Sequence, residues 1–344
     1  MADAARLDES TAGAPVDALR RALDALAEAA RQRPGAGLEQ ALIDLRIAAF
    51  RAVRWPPPRA PARRPLAPVA DGELAEIDAT GLDARVLADA VLGGGGLIVR
   101  GLMDRQRVQR MREHIDAALR ARRAAHGDGD SRLDSSHYRR SPHVVGGPQQ
   151  FWAGDDGERY ADIGSLWAAD CPVAAQYMAE FYRDIGLPAL LRECLGEEAV
   201  LSVKKWVLRK VAPKTEGQSG WHQDGRFLGD GIRSVNLWVA LSDCGGDSAA
   251  PGMEIVADQR KRIHETGTRG AMFDWVVGPE LVQELARETP VRVPRFAPGD
   301  ALFFDHYNLH RTQCCERQTA LRYAVESWFF AASRAPAKQM PLLL

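Results

Sequence analysis

Residues 296–330 read "FAPGDALFFDHYNLHRTQCCERQTALRYAVESWFF", and the patterning of this stretch decides the fold. Pro298-Gly299-Asp300 has turn chemistry: a proline that presets the backbone, a glycine free to take unusual angles, and an aspartate that bonds back to the main chain. On one side of it Ala301 to Asp305 is a short apolar run; further on, Ala320 to Phe330 is a longer one rich in aromatic and β-branched residues. Runs of this length and composition between polar turns are strands. Working backwards, "VLSVKKWVLRKV" (200–211), "RSVNLWVAL" (233–241), "GMEIVA" (252–257) and "PVRVPRF" (290–296) repeat the pattern. Many short strands at this spacing predict a sandwich or barrel, so the fold class is mainly β with flanking α-helices.

The flanking helices lie upstream. In "VDALRRALDALAEAARQR" (16–33), Leu19, Leu23, Leu26 and Ala30 recur at steps of three and four, the stripe of an amphipathic helix. A second helix is expected over 38–53. Six prolines between Trp55 and Gly72 then exclude helix and predict an extended linker. Residues 1–70 are therefore expected to be a helical N-terminal extension with a Pro/Arg-rich linker, and 71–344 the main domain, with the boundary near 70. Residues 82–122 read as helix, glycine turn, strand and helix. Gly93 to Gly96 precede the strand and are not followed by Lys-Ser/Thr, so they read as a turn and not as a phosphate cradle. The polar stretch 126–162 reads as a lid, a binding loop or disorder, and 171–196 as two helices broken at Gly186-Leu187-Pro188.

The totals exclude several classes. Among 344 residues, 45 Lys and Arg offset 46 Asp and Glu for a net charge of -1, which offers nothing to nucleic acid or an anionic membrane. Five cysteines without Cys-x-x-Cys spacing fit neither a disulfide framework nor a structural zinc site. The start "MADAARLDES" lacks the basic and apolar regions of a signal peptide, and no apolar run is long enough to span a bilayer. A soluble, cytoplasmic protein is expected.

Chemistry concentrates in "GWHQDGRFLGDG" (220–231). On a strand, residues two apart share a face, so His222 and Asp224 can present an imidazole nitrogen and a carboxylate oxygen to one ion. By itself the tripeptide is weak evidence. His310, near the start of a distant strand, can complete two histidines and one carboxylate on one face of a metal, which leaves positions open for other ligands. His306 is its rival. Arg322 sits in an apolar strand and cannot lose its charge, so it must find an anion or reach solvent; Arg317 lies among polar residues and reads as a solvated turn charge. Trp206, Trp221 and Trp275 read as core or pocket wall, and His137, His143 and His264 as loop histidines. Arg139 and Arg140 in the polar stretch are weaker candidates for an anionic substrate group.

Taken together, "GGGLIVRGLMD", "WHQD", "NLWVALSD", "GDALFFDHYNLHRT" and "RYAVESWFF" resemble the phytanoyl-CoA dioxygenase (PhyH-like) branch of the Fe(II)- and 2-oxoglutarate-dependent oxygenases, over roughly Leu82 to Ala332. The resemblance implies a double-stranded β-helix, the jelly roll of cupin-like proteins. It implies that His222, Asp224 and His310 bind iron and form the catalytic centre. Arg322 and Thr312 would hold the far carboxylate of 2-oxoglutarate, with Trp238 packed beside it. Lys205 or Lys210 would meet the other carboxylate, a choice the sequence leaves open. The implied cofactors are Fe(II), 2-oxoglutarate and O2. The implied reaction is hydroxylation of an unactivated C–H in a small molecule or natural-product intermediate, with release of succinate and CO2. Where relatives carry Pro-Gly-Ser-His this chain has "VADQRK" (256–261), which puts that loop's role in doubt; Asp224, replaced by a small residue in related halogenases, favours hydroxylation. Two alternatives share the fold: a non-catalytic metal-binding or regulatory jelly roll whose extension, 1–70, docks a partner or a second copy, and a zinc hydrolase built on the same three residues.

Overall fold

A computed structural model describes residues 14–33, 37–55, 57–63, 73–93, 95–126, 136–141, 143, 163–213, 220–229, 231–257 and 260–344. The expected boundary near residue 70 and most of the polar stretch 126–162 lie outside these residues.

Two helices open the chain, α1 (Val16–Gln32) and α2 (Leu38–Ala52), where the apolar stripes place them. After β1 (Ala75–Asp78) come the single-turn α3 (Ala84–Leu87), β2 (Leu97–Arg100) and the long α4 (Arg105–His126). A short β3 (Ser165–Trp167) precedes α5 (Pro172–Asp184) and α6 (Leu187–Leu195), which break at Gly186 as the sequence predicts. The remainder is β-rich: β4 (Ala199–Val211), a one-turn α7 (Gly225–Leu228), β5 (Ser234–Ala240), β6 (Met253–Val256), α8 (Pro279–Glu288), β7 (Val291–Arg292), β8 (Ala301–Phe304), β9 (Leu309–Thr312), β10 (Arg322–Ala331) and β11 (Pro341–Leu343).

The large sheet runs β11-β4-β10-β5-β8-β2-β1, with β3 also paired to β4, and only β1–β2 is parallel. A smaller sheet, β9-β6-β7, lies apart from it. Strand alternation sorts the large sheet into two layers. Leu237, Val239, Phe303, Val325 and Phe329 join Met111, Ile115, Phe181, Tyr182 and Leu191 in the layer shared with the helices. Trp238, Leu302, Phe304, Ala324, Trp328 and Phe330 face the other way and meet Met253 and Ile255 of the small sheet. This is a jelly roll with helices backing one sheet, as the family resemblance implies; the strand runs from residue 200 onward carry the broader sandwich-or-barrel class. Burying each Leu or Phe in either layer contributes about 1.5–3 kcal/mol.

The predicted turn at Pro298-Gly299-Asp300 is a structural lock. Gly299 has φ 98°, and a Cβ there would fall 2.1 Å from the Met103 carbonyl oxygen, so only glycine fits. The Asp300 carboxylate accepts from the Gly101 and Ala297 amides at 2.9 Å and pairs with Arg100 at 2.7 Å. That ties the turn before β8 to the end of β2.

The two N-terminal helices lie against the body. Arg20 reaches Glu198 at 2.6 Å, and the buried Arg46 donates to the Leu343 carbonyl at 3.2 Å. Part of the proline segment docks as well, Arg59 donating its amide to Gly196 at 2.6 Å.

Asp170 anchors the described part of the long polar stretch: its carboxylate accepts from the Ser141 amide at 2.7 Å and its carbonyl from the Arg139 amide at 2.8 Å. Burial pushes its carboxyl up to about 7, against the pull of the Ser141 amide, Arg140 and Arg122. Its proton is therefore held more tightly in the folded state. Stability from this group is complete below about pH 4 and is lost as pH rises toward about 7, with a slope on the order of 1.4 kcal/mol for each pH unit between those limits. Asp170→Asn keeps the acceptor and removes the titration, so thermal melts of the variant between pH 4.5 and 8 are expected to lose this downward slope. Parallel slopes in both proteins contradict the assignment.

Candidate metal centre

The carboxylate and the two imidazoles come together, by a different local route from the one the sequence suggests. His222 belongs to an isolated antiparallel bridge with His310, each residue's amide donating to the other's carbonyl at 3.0 Å. Asp224 is not on a strand: its φ of -64° and ψ of -23° are helical, and it heads α7. The two side chains converge because a turn begins between them, and not because alternate strand residues share a face. The ligating atoms of His222, Asp224 and His310 lie within 4.8 Å of one another and can hold a metal ion. His306 stands outside this group. It is buried, with Nδ1 2.8 Å from the Ser234 hydroxyl.

The hydrogen bonds around the three residues suit a metal. His222 Nδ1 lies 2.9 Å from the Gly220 carbonyl and His310 Nδ1 lies 3.0 Å from the Asn308 carbonyl. A carbonyl only accepts, so each Nδ1 carries the proton and each Nε2 keeps its lone pair, the tautomer of a metal-bound histidine. Burial, and after it the neighbouring His310, pulls the His222 imidazole down to about 4, so the ring is neutral at physiological pH. Asp224 is 1% exposed, and its Oδ2, 3.5 Å from His310 Nε2, has no hydrogen-bond partner. A buried, unsatisfied carboxylate oxygen costs about 1–3 kcal/mol or more, and a cation at this point would satisfy it. Burial works against the Asp224 charge. Even so, the Lys205 ammonium, 2.6 Å from Oδ1, and the two imidazoles hold its carboxyl well below the usual range.

Strand β4 separates the two lysines. Leu201 and Val203 face the helices, and so do Trp206 and Leu208, so the alternation reverses between 203 and 206. The cause is a bulge: Ser327 pairs with Trp206 but Phe329 pairs with Leu201. Lys205 is thereby turned toward Asp224. Lys210 falls on the opposite face and pairs with Asp116 of α4 at 2.7 Å. Uniform alternation, the only pattern the sequence offers, cannot find the reversal.

Arg322 is 3% exposed on β10, facing the small sheet; Nη1 donates to the Gly252 carbonyl at 2.8 Å and its Nε has no partner. Among the described residues no carboxylate pairs with it, and burial lowers it only to about 10, so it stays charged. Its guanidinium carbon lies 5.7 Å from the Trp238 ring centroid. Thr312, two residues after His310 on β9, is paired with Met253, next to the Gly252 that Arg322 binds. Arg317 is exposed in the preceding turn. Glu326 on β10 is a second inward charge that the sequence pattern does not single out; Arg209 of β4 neutralises it, and its Oε1 accepts from Trp328 Nε1 at 3.2 Å. Asn236 of β5, equally unmarked in the sequence, is buried with its Oδ1 unsatisfied.

The loop histidines and the weaker arginine candidates are placed elsewhere. His143 pairs with Asp44 of α2 at 2.9 Å, and the His264 amide donates to Gln223 at 2.7 Å. Arg139 and Arg140 are exposed. Trp206 is core, whereas Trp275 packs edge-on to the His222 ring at 5.9 Å.

The profile of the family described as phytanoyl-CoA dioxygenase (PhyH) matches residues 94–314. Among solved structures, the apo form of EctD from S. alaskensis aligns over 82% of this chain and 86% of its own, with 18% identity and a TM-score of 0.50. SnoN, described as a non-heme alpha ketoglutarate dependent epimerase from nogalamycin biosynthesis, aligns over 72% and 82% with 16% identity and a TM-score of 0.43. AviO1 from Streptomyces viridochromogenes Tue57 aligns over 74% and 97% with 17% identity and a TM-score of 0.42. No curated protein matches the sequence. The likeness to EctD, at 18% identity, speaks to the fold alone, in agreement with the jelly roll. Among the described residues no helix is long and apolar enough to cross a membrane.

Proposed function

This chain belongs to the phytanoyl-CoA dioxygenase family, and on that premise we propose that it is an Fe(II)- and 2-oxoglutarate-dependent oxygenase that hydroxylates an unactivated C–H bond of a small molecule. The observation that carries the reading is the unsatisfied Asp224 Oδ2 between two imidazoles whose protons are fixed away from it. His222, Asp224 and His310 would hold the metal on one face, as in oxygenases that leave the remaining positions for other ligands. Iron and 2-oxoglutarate held there would supply the oxidising chemistry together with O2, one oxygen atom of which would enter the C–H bond and the other the succinate formed as CO2 is released.

The other assignments concern the chain's own residues. Arg322 would take the far carboxylate of 2-oxoglutarate, its planar fork matching two oxygens at once, with Thr312 beside it and Trp238 against its flank. Lys205, 2.6 Å from Asp224 Oδ1, would meet the metal-proximal carboxylate; in support, Lys210 pairs with Asp116 on the other face. Residues 71–344 form the catalytic unit in this reading and 1–70 its helical extension. In support, α1 and α2 bond to Glu198, Leu343 and Leu344, and among the described residues none of their side-chain hydrogen bonds or ion pairs is made to His222, Asp224 or His310.

A stepwise anaerobic titration tests the proposal. Adding Fe(II) and then 2-oxoglutarate to the full-length protein is expected to produce a visible charge-transfer band at one equivalent of each. A folded protein that shows no band, or one whose activity is restored by zinc, removes the oxygenase assignment.

A further inference from the structure

The bridge between His222 and His310 fixes two of the three candidate ligands through their main chains and leaves the third, Asp224, to the turn that follows. The middle residue of that turn, Gln223, is 2% exposed, and its carboxamide is given to main-chain groups of two other segments. Nε2 donates to the Tyr307 carbonyl at 2.6 Å and to the Arg262 carbonyl at 2.9 Å, and Oε1 accepts from the His264 amide at 2.7 Å. Carbonyls only accept and an amide N–H only donates, so the side chain has one possible orientation. Two donors and an acceptor on one neutral group of this length belong to glutamine alone: asparagine is a methylene shorter, and glutamate and methionine have no N–H.

Its partners lead back to the ligands. Tyr307 adjoins Asn308, whose carbonyl takes the His310 Nδ1 proton at 3.0 Å. Gly225, on the other side of Asp224, donates its amide to the His306 carbonyl at 2.8 Å, and a Cβ there would fall 2.3 Å from Ile263 and 2.9 Å from that same oxygen. Both neighbours of Asp224 are therefore seated on the segments 262–264 and 306–307. Residues 260–264 are in turn held as a strap. Lys261 bonds Asp305 at 2.6 Å and the Val91 carbonyl at 2.9 Å, and the other oxygen of Asp305 accepts from the Tyr307 amide at 2.9 Å. Lys261 ends the "VADQRK" stretch, where this chain departs from the related pattern.

We propose that Gln223 is a positioning residue for the metal: it clamps the turn between His222 and Asp224 to the strap and to the main chain before His310, and so fixes where the Asp224 carboxylate stands relative to the two imidazoles. The Lys205 ion pair restrains only the end of the Asp224 side chain. The clamp fixes the backbone that carries it. Groups that orient metal ligands from outside the coordination sphere set affinity by about 10- to 100-fold. The inference rests on the metal-binding half of the oxygenase reading and not on the reaction.

Titration of the metal-free, full-length protein with Co(II) tests it, because the visible ligand-field bands of that ion follow the geometry of its ligands. Gln223→Met keeps the volume and removes all three hydrogen bonds. It is expected to bind Co(II) about tenfold or more weakly and, once saturated, to show bands shifted from those of the unsubstituted protein. Lys261→Met, which loosens the strap from its far end, is expected to shift the bands in the same direction by less. The double variant should look like Gln223→Met, since the strap acts through that side chain. Tyr182→Phe, which loses a buried hydrogen bond to Ser327 in the helical layer, controls for plain destabilisation: its urea midpoint should fall and its saturated bands stay put. A Gln223→Met protein whose saturated bands match the unsubstituted ones overturns the inference, whatever its stability, and so does a double variant in which the two shifts add. Should Gln223→Met fail to fold, Lys261→Met decides: unchanged bands and affinity refute the clamp, and a shift sustains it. A folded, unsubstituted protein that binds no Co(II) refutes the ligand set and the clamp with it. Co(II) binding with the expected shifts, but no charge-transfer band with Fe(II) and 2-oxoglutarate, removes the oxygenase and leaves the clamp standing.

Discussion

Alanine at Asp224 is expected to abolish ferrous binding and 2-oxoglutarate turnover and, unlike alanine at His310, to destabilise the metal-free protein as well. The ligand itself is lost in both variants. Because substitutions of groups that merely support a metal ligand already cost about 10- to 100-fold in affinity or activity, loss of a ligand should cost at least about 100-fold. The two differ in what they leave behind. Asp224 is 2% exposed in its side chain and Lys205 24%, so removing the carboxylate strands an ammonium that is largely out of water. Breaking such a pair costs on the order of 1–3 kcal/mol once partial exposure of the lysine is allowed for. Alanine at His310 strands no ammonium. Iron binding measured by equilibrium dialysis, set beside urea melts of the metal-free proteins, separates the two costs. Near-wild-type iron affinity in either variant refutes the ligand set.

Methionine at Arg322 is expected to do the reverse: to remove cosubstrate binding and leave the ligand-free protein as stable as before or slightly more so. A guanidinium that is 3% exposed and faces no carboxylate among the described residues is a standing cost. Replacing buried charge by apolar volume is often neutral or stabilising by about 1–4 kcal/mol, here offset by the bonds lost to the Gly252 and Pro251 carbonyls. Truncating one side of a buried charge-assisted pair with the cosubstrate costs about 2–5 kcal/mol, which corresponds to at least about 30-fold in affinity. Thermal melts with and without 2-oxoglutarate make this visible. A ligand at 100 times its Kd adds about 2.7 kcal/mol of stability, a gain expected in the unsubstituted protein and absent in the variant. A methionine variant that keeps the gain excludes Arg322 from the cosubstrate site.

The sequence carries much of this architecture because its layers obey simple periods. Strands β5, β8 and β10 alternate between two apolar layers, so their composition marks them directly, and Arg322 stands out as a charge in an apolar run. The two helices of the N-terminal extension follow from their stripes. What stays hidden depends on departures from those periods. Asp224 meets His222 through the start of a helical turn, and Lys205 meets Asp224 through the bulge in β4, neither of which has a compositional signature. The packing of Phe227 and Trp275 beside His222 is out of reach for another reason. These two rings are 48 residues apart and become neighbours only because the loop before α8 folds back onto Gly220. Glu326 escapes notice because its partner, Arg209, lies on another strand whose register cannot be read in advance.

The bulge in β4 also sets how this chain can drift in length. A residue gained or lost among 202–204 falls where the pairing with β10 is already interrupted, so the β10 edge can keep its partners, whereas the pairing of Ser202 with Pro341 of β11 would have to shift. The same change between Trp206 and Val211 would invert every side chain from there to one end of the strand, sending an arginine into the helical layer or a tryptophan out of it. An inserted residue is therefore expected to cost less before Trp206 than after it, and the lysine beside Asp224 sits at that border.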